Sequence, residues 1–245
     1  MIAHRAAAAL LGALVLATPA LAGPPYVTDD PQPTDKGHFE IYAFATGTGA
    51  RDGSGGEGGI DFNYGAAEDL QLTAVLPAAW SSPAVGPSPV SLGNVELAAK
   101  YKFLHQDDVG VDVAFFPRVF LPAGSPDVGE RHVSLLLPLW VGRSWGNWST
   151  FGGGGCVLNR GGDSQNFCQL GLAITKQVSP RLQLGAEIYH QSADTRGGKA
   201  STGLGVGAIY DLSEHYHLLA SAGPGLQNAA ATGRYLWYAA MLFTF

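Results

Sequence analysis

Arg181-Leu-Gln-Leu-Gly-Ala-Glu-Ile-Tyr189 alternates apolar and polar residues at every step. Leu182, Leu184, Ala186 and Ile188 share one face of an extended chain, and Gln183, Gly185, Glu187 and Tyr189 share the other. Asp69 to Leu76 repeats the pattern, with Leu70, Leu72, Ala74 and Leu76 opposite Gln71, Thr73 and Val75. In Asn94 to Phe103, Val95, Leu97, Ala99, Tyr101 and Phe103 oppose Asn94, Glu96, Lys100 and Lys102; in Val111 to Phe120, Val111, Val113, Phe115 and Val119 oppose Asp112 and Arg118. A helix would scatter these charges around its whole circumference, so the windows read as strands.

Twelve such strands follow in series: 37–47, 58–66, 69–80, 92–104, 109–121, 132–144, 148–158, 166–178, 181–191, 200–211, 215–226 and 234–245. Connections after the even strands are short, as in Ala67-Glu68 and Ser179-Pro180. Those after the odd strands are longer and rich in Gly, Pro, Ser and Asp, as in Thr48 to Glu57, Ser81 to Ser91 and Pro122 to Arg131. This alternation predicts a transmembrane antiparallel up-and-down β-barrel of about twelve strands, with short periplasmic turns and longer extracellular loops.

The composition narrows the field. The chain has 245 residues, 46% hydrophobic but only 14% charged, with 34 Gly and 2 Cys. An ordinary soluble domain carries roughly 25% charged residues. Disorder is excluded by the hydrophobicity, and a disulfide-dense scaffold by the cysteine count. The net charge of -6 argues against a nucleic-acid partner.

Residues 1–22 read as a secretory signal peptide. His4 and Arg5 precede an apolar run from Ala6 to Ala17, and Ala20-Leu21-Ala22 supplies a small-x-small cleavage site. The run is too short for a membrane span and is followed by Pro19. Loss of Arg5 with this peptide leaves 13 Lys and Arg against 20 Asp and Glu, a charge of -7. Residues 23–36 form a Pro-rich N-terminal segment expected on the periplasmic side, and 37–245 the barrel. The chain is thus expected in the bacterial outer membrane, exported by its signal peptide and embedded in outer-membrane lipid.

At the C-terminus, Phe245, Phe243, Met241, Ala239 and Trp237 share one strand face. This resembles the terminal signal of bacterial outer-membrane barrels, which implies the barrel-insertion machinery as a partner. Aromatic residues near the strand ends are expected to form interfacial girdles: Trp80, Trp140, Trp145, Trp148, Tyr210, Tyr216, Tyr235 and Trp237.

A broader resemblance rests on Gly23-Pro-Pro-Tyr-Val-Thr-Asp-Asp-Pro31, Lys36-Gly-His-Phe-Glu40, Phe151-Gly-Gly-Gly-Gly155, Gly185-Ala-Glu-Ile-Tyr-His190 and Tyr210-Asp-Leu-Ser-Glu-His-Tyr-His-Leu-Leu219. These stretches are similar to a group of exported bacterial transporters related to the outer-membrane family named after the meta-pathway of phenol degradation. The resemblance implies a barrel passing small, hydrophobic or aromatic solutes, and carries no catalytic signature.

Strand parity points Glu40, Asp61, Glu96, Lys100, Lys102, Asp112, Arg118 and Glu187 into the lumen. There they either select solutes or pair to stiffen the interior. Cys156 and Cys168 lie symmetrically about Gly162, which makes them cross-strand partners in a hairpin; the oxidising compartment favours a disulfide. His215 and His217 share a face but lack a third ligand, so no metal is expected. His190 and Ser192 suggest the base and nucleophile of a lipid-modifying hydrolase, without an identifiable acid partner. Gly152 to Gly155 lacks the Lys-Ser/Thr and the helix of a phosphate loop. The reading is therefore a monomeric, non-enzymatic outer-membrane channel without cofactor. The alternatives are an outer-membrane lipid-modifying hydrolase and a secreted soluble β-barrel ligand binder.

Overall fold

A computed structural model describes residues 25–125, 132–159, 161–162 and 164–245. The signal-peptide expectation lies outside these residues.

The chain forms β1 (Phe39–Ala50), β2 (Gly53–Ala67), β3 (Leu70–Pro83), β4 (Val90–Leu92), β5 (Val95–Leu104), β6 (Asp112–Phe115), β7 (Arg118–Leu121), β8 (Ser134–Trp145), β9 (Trp148–Leu158), β10 (Phe167–Ser179), β11 (Leu182–Gln191), β12 (Ser201–Asp211), β13 (Tyr216–Gln227) and β14 (Tyr235–Thr244). Each pairs antiparallel with its neighbours. β1 also pairs with β14, from Glu40 with Thr244 to Gly49 with Tyr235, which closes the ring. β4 and β5 both pair with β3 and form one stave. β6 and β7 form another, because both bridge β5 and β8. The ladder breaks between them at Pro117, which has no N–H to donate. The result is a closed twelve-stranded antiparallel barrel. Two four-residue helices, α1 (Gln106–Val109) and α2 (Ala229–Thr232), sit in connections. No helix among the described residues is long and apolar enough to cross a membrane.

The polarity is that of a barrel in hydrocarbon. On β11, Leu184 and Ile188 are 44% and 46% exposed, whereas Gln183 and Glu187 are 8% and 4% exposed. Leu72, Leu76, Leu97, Leu170, Leu172 and Val206 are likewise exposed, while Asn63, Gln71, Thr73, Glu96, Lys100 and Ser221 are buried. A soluble barrel would reverse this, because water would meet a nearly continuous leucine surface. Closure leaves no strand edge, so every stave can satisfy its backbone within the sheet.

Two connections differ from the expected alternation. The first hairpin turns at 51–52 instead of looping over 48–57, because the Gly-rich stretch continues both strands upward. The link between β5 and β6, at the short-turn end, contains α1. The tight turns at 68–69, 146–147 and 180–181 mark that end, with Gly146 at φ +57° and Asp69 at φ +60°. By the rule for outer-membrane barrels this end faces the periplasm. Trp145, Trp148, Tyr210 and Tyr216 are exposed there. Trp140 is not part of a girdle: it shares the inward parity of Pro138 and Gly142 and is 2% exposed.

Cys156 pairs with Cys168 across β9 and β10, and the two are joined by a disulfide. Phe245 and Phe39 exchange backbone hydrogen bonds of 3.1 and 2.9 Å, tying the two chain ends together at the seam.

The lipid-facing surface makes a depth-dependent prediction. Val206→Arg, in the middle of β12, costs about 2–4 kcal/mol of folding free energy, and Tyr210→Arg near the turn end about 0–1 kcal/mol. Urea unfolding in lipid vesicles measures both.

Candidate functional site

The lumen is crossed by the segment that the sequence places on the periplasmic side. Residues 25–36 run inside the barrel as an extended strap, with Pro25, Thr28, Asp30, Pro31 and Thr34 buried. The structure places this stretch within the barrel. Four prolines between 24 and 33 prevent this stretch from joining the sheet, and wall side chains take up its polar groups instead.

The strap enters at the short-turn end, where Gly37 N donates to Gly65 O at 2.7 Å and Lys36 bridges Gly65. The Thr34 backbone N–H and hydroxyl donate to Gln71 Oε1 on β3 at 2.8 and 3.1 Å. Gln71 is itself locked to Asn63 and Thr73. Gln32 Nε2 donates to Asp112 at 2.9 Å, and Lys102 donates to Gln32 Oε1 at 3.0 Å. Lys100 Nζ reaches Asp29 at 3.0 Å and the Gln32 carbonyl at 3.3 Å. Beyond this the strap meets the far wall. Glu187 on β11 accepts from Val27 N, Thr28 N and the Thr28 hydroxyl at 3.0, 2.9 and 2.9 Å, and Ser221 on β13 donates to the Pro25 carbonyl. The strap thus spans the lumen between two charged anchors, Lys100 and Glu187. The wall is cut back to admit it: a Cβ on Gly171 would collide with the Thr28 side chain, and one on Gly142 with the Pro31 ring.

All eight lumen candidates lie on the inner face. Glu96 binds Arg118 Nε at 2.7 Å. Lys100 and Arg118 both stack on the Phe116 ring, at 4.8 and 4.9 Å from its centroid. Lys102 lies 3.6 Å from Asp69. Asp61 accepts from Asn63, and Glu40 from the Tyr42 hydroxyl. Asp112, Lys100, Lys102 and Glu187 hold the strap. On the arc formed by β1 and β12 to β14 the interior is apolar, with Tyr42, Ile209, Leu219 and Leu242 packed against Phe44 and Tyr238.

Thr28, Asp29, Asp30, Gln32, Thr34 and Gln71 complete the site and were not singled out from sequence. The available signal was Asp29-Asp30, two acids in a lead otherwise without charge until Asp35. His190 and Ser192 do not form a base–nucleophile pair. His190 Nδ1 meets the Thr202 hydroxyl at 2.8 Å, and the Ser192 hydroxyl accepts from Cys168 N at 2.9 Å. His215 and His217 separate as well: His217 pairs with Asp211 at 2.7 Å, and His215 Nδ1 lies 2.9 Å from the Thr244 carbonyl oxygen. No group of three metal-ligating side chains occurs among the described residues.

Cavities flank the strap. At the short-turn end a cavity of about 780 Å³ is lined by strap residues Thr34 and Asp35 together with Glu40, Arg181, Asp211 and Phe245. At the long-loop end a cavity of about 190 Å³ lies against Val27, Tyr189, His190, Thr202 and Tyr235. They share no lining residue, and the middle of the strap stands between them.

The family model described as "Putative MetA-pathway of phenol degradation" matches residues 23–238. The chain belongs to this family. The match takes in the strap as well as the barrel. The fold is that of outer-membrane barrels, and the family member described here is an outer-membrane protein. It is similar to an outer membrane channel from Pseudomonas putida F1, at 15% identity and a TM-score of 0.73, covering 88% of this chain and 98% of that one. It is also similar to the KdgM porin, solved in complex with disordered oligogalacturonate, at 11% identity, TM-score 0.59, and 85% and 99% coverage. The NanC porin gives 8% identity, TM-score 0.58, and 84% and 98% coverage. No sequence among the curated proteins compared matches the chain.

Two predictions concern the strap. Glu187→Gln removes the charge that receives three strap donors and weakens docking by about 1.5–3 kcal/mol; faster hydrogen exchange at Val27 and Thr28 reads this out. The second concerns Asp30. Burial pushes its carboxyl up to about 7, opposed by Lys100 and reinforced by Asp29 and Glu40. A carboxyl whose pKa is higher docked than free favours docking when protonated, so docking weakens as pH rises from about 4 to about 7 and then levels off. Asp30→Asn abolishes that dependence in a hydrogen-exchange series over the same range.

Proposed function

We propose that this family member is a monomeric, non-enzymatic passive channel for small solutes, whose closed state is held by residues 25–36. The single observation carrying the reading is the strap inside the barrel, docked by polar contacts and flanked by cavities toward both ends. A purely structural barrel has no need of an interior built from charged anchors, since apolar packing fills a lumen at lower desolvation cost. Polar anchors, by contrast, exchange for water when the strap moves. The solute gradient supplies the driving force.

The solutes fit a small apolar or aromatic body. Tyr189 and Tyr235 border the outer cavity, Phe39 and Phe245 the inner one, and the family description refers to phenol degradation. The outward face of the last strand, with Trp237, Met241, Phe243 and Phe245, serves as the signal read by the barrel-insertion machinery. A complete ring built from one chain supports the monomer.

Lys100→Met tests the reading. It leaves the partly buried Asp29 without its cation, a loss of about 1.5–3 kcal/mol that falls on the docked strap. Gly171→Leu pushes out Thr28 by a second, steric route. Both variants raise single-channel conductance and the rate of L-arabinose-driven liposome swelling over the unaltered protein. Should both fold, by heat-dependent gel shift, and conduct no more than the parent, the strap is not a gate.

A further inference from the structure

Beside the strap, each base on the lumen wall among the described residues is paired. Lys100 pairs with Asp29, Lys102 with Asp69 and Arg118 with Glu96, at 3.0, 3.6 and 2.7 Å. Against these stand Asp30, Glu40, Asp61, Asp112 and Glu187. None has a Lys or Arg nitrogen within 4.0 Å among the described residues. Their hydrogen-bond partners are neutral: Gln32 N for Asp30, the Tyr42 hydroxyl for Glu40, Asn63 for Asp61, Gln32 and Gln106 for Asp112, and Val27 and Thr28 for Glu187. Hydrogen bonds from neutral donors satisfy lone pairs without cancelling charge.

An independent observation comes from the strap. Asp30 is 0% exposed, and its Oδ2 has no hydrogen-bond partner. A fully buried carboxylate oxygen without a donor is a position where a cationic or donor group gains most.

The inner cavity continues the same sign. It is lined by Asp35, Glu40, Asp211 and Glu214, against Arg181, His38 and His217. The outer cavity has no acid among its described lining residues, and presents Tyr189 and Tyr235 with His190. Phenol rings attract a cation over their faces. Glu40 and Asp61 border the apolar arc of Tyr42, Phe44, Tyr238 and Leu219: Glu40 shares β1 with Tyr42 and Phe44, and Asp61 on β2 is the cross-strand partner of Tyr42. A solute passing here meets carboxylates and aromatic rings side by side.

We infer that the lumen passes small organic cations, an ammonium group on an apolar or aromatic body, in preference to organic anions of the same size. The inference rests on the channel reading above and adds the charge of the solute. A lining of uncompensated carboxylates concentrates cations and repels anions, the principle used by acidic rings in cation channels. Inorganic cations gain the charge term alone; an aromatic ammonium also gains the apolar wall.

The test uses the full processed protein and its Lys100→Met variant in planar bilayers at about pH 8, where carboxylates are ionised. Benzyltrimethylammonium chloride and sodium benzenesulfonate serve as probes of similar size and opposite, permanent charge, with L-arabinose swelling as the neutral control. Expected are zero-current potentials showing benzyltrimethylammonium more permeant than benzenesulfonate by about tenfold or more, and more permeant than potassium. Glu40→Gln with Asp61→Asn brings the ratio toward one while arabinose still passes. Asp112→Asn gives the same trend should that pair fail to fold. Arabinose passage with equal probe permeabilities, or with benzenesulfonate ahead, overturns the inference and leaves the channel standing. Failure of arabinose and both ions to cross in every folded variant removes the channel reading instead.

Discussion

Hydrocarbon offers no hydrogen bonds, and that constraint organises the whole molecule. Each backbone N–H and C=O at membrane depth must find a protein partner, so the sheet closes from β14 back onto β1. The surrounding lipid then selects apolar side chains for the outward positions of the closed sheet, and the charged and amide side chains of the staves turn inward. The interior then inherits a problem of its own, because charged side chains there are removed from both bulk water and lipid.

The strap answers part of that problem. Lys100 would be a buried ammonium on the wall of a narrow lumen; Asp29 and the Gln32 carbonyl meet it. Glu187 would be a buried carboxylate; three donors of residues 27 and 28 meet it. The wall and the strap are therefore mutually dependent. Neither set of groups is satisfied alone, and each contact is a polar one of the kind water can also make. A plug fixed by apolar packing would not be so readily exchanged.

The family match and the likeness to outer-membrane channels agree with the polarity of the barrel and with its cavities. They speak to fold and location. The residues that distinguish this lumen are its own: an aromatic arc, carboxylates beside it without ionic partners among the described residues, and a proline-rich segment between the two mouths.

Much of the fold was legible in the chain itself. Period-two alternation on Leu182 to Tyr189 fixes which residues face lipid, because a strand has two faces and a one-residue error exchanges them. The twelve staves and the inward set from Glu40 to Glu187 follow from that rule, since it is local. The strap was not legible. Pro24 to Pro33 has no period, and nothing in a Pro-rich stretch says what it will touch; its partners on β3, β5, β6, β11 and β13 come from five separate parts of the chain. Trp140 was misplaced for a related reason, since an aromatic near a strand end suits a girdle or an interior equally and only the register of β8 against β9 decides. Sequence determined the sidedness of the barrel because sidedness is a property of neighbours along the chain. Tertiary structure decided what fills the lumen, because that depends on which distant side chains curvature brings face to face.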